Sequence, residues 1–193
     1  MAEQRVEQHF IDGADFLYQA AAPLAKPLAD AAHGIVASLA GGGKVMVLGQ
    51  GASALDALRF AGFLLGGLER ARPPLPALVI GAGVSSAEGA AADAARELQV
   101  LGAPGDVLVV FTARAVQAPV VAAIDAAHVA EMIVIAFHGE SGERTARLLR
   151  ETDVGIACKH DRLSRVHEIQ TMAAHALCAA VDHLLLGAEE DSA

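Results

Sequence analysis

The chain has 193 residues, 54% of them hydrophobic and only 4% aromatic, with 14 lysines and arginines against 23 aspartates and glutamates. That length suits one domain with a single buried core, plus an extra arm. The formal charge of −9 argues against direct nucleic-acid binding, which needs a basic face, and the shortage of aromatics argues against a base-stacking platform.

The N-terminus, MAEQRVEQHF, is charged and has no apolar core of the signal-peptide kind. Residues 3–39 read as helical. Val6, Phe10 and Leu17 form one stripe, and Leu24, Leu28, Ala31, Ile35 and Leu39 continue it in steps of three and four. Pro23 and Pro27 fall inside this run and predict a division into two helices, with Pro23 near the first turn of the second. Gly41, Gly42 and Gly43 end the arm.

A regular beat of short apolar runs and helices follows. KVMVLG (44–49) reads as a strand and Ser53–Leu65 as a helix; ALVIGAG (77–83) is strand-like, then Ser86–Leu101 helical. DVLVVFTA (106–113) precedes a helix over Ala118–His128, and MIVIAFHG (132–139) one over Glu143–Glu151. DVGIACK (153–159) leads to a last helix from Ser164 to about Leu186. Strands that are apolar throughout, alternating with helices, predict a doubly wound five-stranded parallel sheet covered on both faces, an α/β fold with an N-terminal helical arm. The expected organisation is an arm over 1–40, a domain over 41–187 and an acidic tail over 188–193. Cys158 and Cys178 read as reduced, buried thiols. No apolar run approaches the roughly 20 residues of a membrane span, so a cytoplasmic protein is expected, with no membrane partner.

Ligands of such folds bind beyond the carboxyl ends of the strands, where Gly49–Ser53, Gly81–Ser86 and Thr112–Gln117 would meet. Gly49 to Ala54 formally matches G-x-G-x-x-A, but the second strand ends without the acid that holds a ribose, and no G-K-[ST] follows Lys44. Neither a nicotinamide cofactor nor a nucleotide loop is expected. Two readings of Ser53 stand side by side: a plain helix N-cap, or part of a hydroxyl-and-amide cradle for an anion. Thr112 occupies the corresponding place after the third strand.

The order GGKVMVLGQGASALDA, RPPLPAL, LGAPGDVLVVFT and SRVHEIQTMAAHALCAAVD resembles the SIS (sugar isomerase) family, in its phosphoheptose isomerase and DiaA branch, over essentially the whole chain to Asp182. The resemblance implies a flavodoxin-like sheet and a sugar-phosphate site formed by Gly49, Gly51, Ser53, Thr112, Arg114 and Gln117. It also exposes departures. Arg59 and Phe63 stand where the isomerases carry a histidine and a glutamate, and phenylalanine cannot pass a proton between C1 and C2 of an aldose–ketose pair. Family members that bind zinc use those two positions with a glutamine and a histidine, which here are His167 and His175. Two imidazoles about 80° apart on an ideal helix make a poor metal site, so no metal and no cofactor are expected. Where the family has STSGNS this chain has Thr112-Ala-Arg114-Ala-Val-Gln117, and Ser85 and Ser86 replace a richer polar segment.

These departures lead to the expectation of a non-catalytic protein, similar to DiaA, that binds a sugar phosphate, the replication initiator DnaA, or both, as a homotetramer. The alternative is an isomerase of sedoheptulose 7-phosphate with rearranged groups, His175 being its candidate acid–base residue with His167 or Glu168 as helper.

Overall fold

The computed structural model describes residues 1–49, 51–81, 90–114, 116–139 and 142–187. In chain order its elements are α1 (Ala2–Ala40), β1 (Val45–Gly49), α2 (Ser53–Gly66), β2 (Ala77–Val79), α3 (Ala90–Leu101), β3 (Val107–Thr112), α4 (Ala118–Val129), β4 (Ile133–His138), α5 (Gly142–Ala146), β5 (Val154–Ala157) and α6 (Leu163–Leu186). The strands pair in parallel in the order β2-β1-β3-β4-β5, the flavodoxin-like arrangement that the sequence implied. The expected residues Ser85 and Ser86 and the acidic tail lie outside the described residues.

The three central strands are buried on both faces, which is why they are apolar at nearly every position. Val45, Val47, Val107, Val109, Phe111, Ile135 and Phe137 point to one side, against α1, α2 and α6. Met46, Leu48, Leu108, Val110, Val134 and Ala136 point to the other, against α3 and α4. Phe111 and Phe137 stack with ring centroids 4.4 Å apart on the first side. At roughly 25 cal/mol per Å² of apolar surface removed from water, these two cores dominate the stabilisation.

The arm differs from expectation: α1 is one helix, with Pro23 and Pro27 inside it. A proline removes one i→i−4 bond and crowds the preceding turn. Here Leu24, Leu28, Ala31, Ala32 and Ile35, on the same stretch, are buried in the core against α6 and the sheet. That packing outweighs the local penalty and holds the helix continuous. The stripe that Val6 and Phe10 begin is not covered in the single chain: they are 58% and 73% exposed, and Tyr18 is 86% exposed.

By length and composition α6 could cross a bilayer, although no such run was expected. Its Val166, Ile169, Ala173, Leu177 and Val181 lie in the core, and it carries buried Arg165, Gln170 and Asp182; it is a core helix. Arg72, in the loop before β2, ties α6 to α2. Its Nε donates to Asp182 at 2.5 Å, and its guanidinium also donates to the carbonyls of Leu64 and Phe63 at 2.7 and 2.9 Å. These two carbonyls at the end of α2 also accept from the Gly67 and Leu75 N–H groups, so Arg72 fills their second acceptor positions.

Candidate active site

β1 and β3 are neighbours whose outgoing connections pass to opposite sides, so a crevice opens beyond their carboxyl ends. Two glycines shape it. Gly49 ends β1 so close to α2 that a Cβ there would stand 2.1 Å from the Ser53 carbonyl oxygen, and Gly51 takes a left-handed φ of 59° in the following turn. The N-terminus of α2 is therefore drawn right over the strand end, where the N–H groups of Ala54 and Leu55 close back onto the Gly51 and Ala52 carbonyls and the positive end of the helix dipole meets the crevice.

The crevice holds a cavity of about 270 Å³ whose wall includes Gly51, Ser53, Thr112, Arg114, Gln117 and His167. Residues far apart in sequence are thus brought together as the sequence implied. Gly49 stands behind the wall, not in it. Ser53 makes no side-chain cap bond, and the N-cap residue is Ala52; the plain-cap reading of Ser53 does not describe it. Thr112 donates only a long bond, 3.4 Å, to the Phe137 carbonyl, while Gln170 of α6 donates at 2.9 Å to the Thr112 carbonyl and fixes that strand end. Arg114 is exposed at the rim and has no ion-pair partner among the described residues. Gln117 is the N-cap of α4, so a second helix start faces the same space.

A second, more open cavity of about 450 Å³ adjoins the first, sharing Ala52 and His167 with it; Asp56, Arg59, Glu168 and Thr171 are in its wall. His167 Nδ1 lies 2.9 Å from Asp56 Oδ2. The other oxygen of Asp56 accepts from Thr171 Oγ1 at 3.5 Å and has Arg59 Nη1 at 3.8 Å, and Arg59 also donates to Thr171 at 2.9 Å. Asp56 was not singled out in the sequence. Its spacing of three from Ser53 puts both on one helix face, which was the available signal; its partner is 111 positions away, which no spacing reveals.

Of the three residues named as candidate acid–base groups, His167 is in the wall of both cavities, and the other two are placed differently. The His175 ring packs edge-on against Phe63 with centroids 5.2 Å apart, and it lines neither cavity. Glu168 reaches the second cavity but is held by Arg165 and has His9 at 3.4 Å. The zinc positions implied by resemblance do not fit a metal: Arg59 and Phe63 offer no suitable ligand atoms, and no three His, Cys, Asp or Glu side chains gather for one among the described residues. Burial pushes the thiols of Cys158 and Cys178 up to about 12, in Cys178 with Asp182 adding and Arg72 opposing; neither is poised as a nucleophile.

The pattern of the SIS domain matches residues 9–139. The chain is 43% identical over 98% of both sequences to a protein of Methylibium petroleiphilum named phosphoheptose isomerase. A protein of the same name from Azoarcus sp. is 37% identical over 96% of this chain and 98% of its own. Among solved structures, the phosphoheptose isomerase of Neisseria gonorrhoeae superposes with a TM-score of 0.85 at 30% identity, over 94% of this chain and 99% of its own. That of Francisella tularensis gives 0.87 at 29%, over 95% and 99%.

These full-length relatives correct the expectation of a non-catalytic, DiaA-like regulator of DnaA. They are named isomerases, and no initiator partner appears among them. The expectation rests on Arg59 and Phe63, whereas Asp56 and His167 also place a carboxylate and an imidazole in the wall of the second cavity.

Proposed function

Because the chain belongs to the SIS domain family, we propose that it is a sugar-phosphate isomerase converting sedoheptulose 7-phosphate into an aldoheptose 7-phosphate. One observation carries this reading: a two-part cleft with an anion cradle at one end and titratable groups at the other. The phosphate would sit on the N–H groups opening α2, with the Ser53 hydroxyl and the fork of Arg114 as further donors. The open-chain sugar would extend past His167 into the second cavity, whose volume is in the range of small-ligand sites. Isomerisation moves a proton between C1 and C2 and needs no redox partner or activated donor.

Conversion of sedoheptulose 7-phosphate, followed by NMR, tests the proposal; shorter sugar phosphates serve as comparison substrates. Turnover of the seven-carbon compound in preference to the others is the expected result. No turnover of any of them would sink it.

We further infer that the enzyme is a homo-oligomer of the tetrameric kind, α1 being its contact arm. Support comes from Val6, Phe10, Ile11 and Tyr18 on α1 and Leu55, Leu58 and Leu65 on α2, large apolar side chains exposed in the single chain. A monomer by light scattering at micromolar concentration would contradict this. Two buried, unpaired thiols suit a reducing compartment, the cytoplasm.

A further inference from the structure

Resting on the isomerase reading, we propose that Asp56 and His167 form the dyad that moves the substrate proton, with His167 Nε2 as the transferring atom. The tautomer follows from the hydrogen bonding. Asp56 Oδ2, a carboxylate oxygen, accepts from Nδ1 of His167 at 2.9 Å, so in the neutral ring the hydrogen sits on Nδ1 and Nε2 keeps its lone pair. Nε2 has no hydrogen-bond partner among the described residues.

The surroundings of the pair suit the task. Asp56 is 7% exposed at its side chain, and His167 is 23% exposed: the carboxylate is withdrawn while the imidazole remains reachable. Thr171 and Arg59 lie against the second carboxylate oxygen, which keeps Asp56 aimed at the ring. A carboxylate behind an imidazole fixes its orientation and stabilises the imidazolium that forms when the ring takes a proton. His167 is in the wall of both cavities, so it stands where a ligand anchored by its phosphate at Ser53 passes into the second cavity. His175, against Phe63, and Glu168, engaged by Arg165, have neither this placement nor a free ring nitrogen backed by a carboxylate.

The step balances without any co-reactant but water. Nε2 takes a proton from C1 of the ketose. The electron pair of that C–H bond becomes the C1–C2 double bond, and the carbonyl pair at C2 moves onto its oxygen, which takes a proton from water in the open half of the cleft. The resulting enediol then loses the proton of its C1 oxygen to water as the C1 carbonyl forms. The imidazolium returns its proton to C2, giving the aldose and neutral His167.

His167→Gln and Asp56→Asn test this, each compared with the unmodified chain for kcat, KM and the rate of deuterium uptake at C1 in heavy water. Loss of a positioned base lowers rate by about 10²–10⁴. The expected result is a fall of that order in both kcat and exchange for His167→Gln, and at least about ten-fold for Asp56→Asn. KM should stay within about three-fold in both. Retention of kcat and exchange within about three-fold in either variant, or a change confined to KM, would overturn the dyad and leave the isomerase reading intact. If His167→Gln does not fold, Asp56→Asn alone decides on the same criteria. No turnover by the unmodified chain overturns both readings.

Discussion

The two edges of the sheet treat their polar groups in opposite ways. At the amino-terminal edge, Asp106 precedes β3 and accepts from Lys44 N at 2.9 Å, Lys44 Nζ at 2.5 Å and Ala103 N at 2.9 Å. Asp153 precedes β5 and accepts from Val134 N at 2.9 Å and Arg150 N at 2.7 Å, with His128 Nε2 at 2.7 Å. Every oxygen there is engaged. At the carboxyl edge, Ser53 forms no cap bond, Thr112 donates only a long one, and Arg114 has no ion-pair partner among the described residues. A saturated buried carboxylate can do little but hold strands in place, whereas a helix dipole beside a hydroxyl and a guanidinium without an ion-pair partner has affinity to offer an anion. Stability is concentrated at one edge and chemistry at the other.

The largest expected effect breaks the saturated edge. Asp153→Ala strands two backbone N–H groups and His128 around a side chain that is fully buried, and disrupting such a network costs about 3–5 kcal/mol. Urea unfolding should show that loss, while turnover per folded molecule stays near that of the unmodified chain. A comparable fall in turnover per folded molecule would dissolve the distinction between the edges.

Gly49→Ala strikes the other edge through the backbone. Its methyl would meet the Ser53 carbonyl oxygen at 2.1 Å and carbon at 2.5 Å, and neither can swing aside. The start of α2 must shift, at about 1–3 kcal/mol for forced overpacking. Here the signature reverses: substrate affinity, by calorimetry, should fall together with stability. Arg114→Ala is milder, since an exposed charge contributes roughly 1 kcal/mol, or about five-fold in affinity. It should weaken phosphate binding most at low salt and leave the unfolding midpoint unchanged.

The fold was legible because the three central strands are buried on both faces and therefore nearly unbroken in hydrophobicity; 106–113 and 132–139 contain β3 and β4 with one residue to spare at either end. The continuity of α1 was not legible, because the prolines are local and the burial of Leu24 and Ile35 that overrides them is tertiary. That Gly51 and Ser53 border the cleft could be read from the glycine–serine turn between β1 and α2. The Asp56–His167 pair could not, since it joins α2 to α6 across 111 positions. Reading the departures at Arg59 and Phe63 as loss of function weighed two positions and missed a third group on the same helix.

The smallest effect concerns the acid stability of the carboxyl edge. His138 ends β4, is 5% exposed, and its Nδ1 lies 3.3 Å from the Gly139 carbonyl. Burial lowers its affinity for a proton below the ordinary 6.5; the bond to Gly139 opposes that, and the charge of Lys159 adds to it. In the unfolded chain the same imidazole is free to charge at its ordinary value. Below about pH 6.5 the unfolded state therefore binds more protons than the folded one, so stability is fully present above that pH and declines as pH falls towards the folded-state value. His138→Asn removes the titration while keeping a donor for the Gly139 carbonyl. Unfolding midpoints at pH 8 and pH 5 should therefore differ less in the variant than in the unmodified chain. An equal difference would mean that His138 charges as easily inside the fold as outside it, and that this strand end is as open to solvent as the cleft beside it.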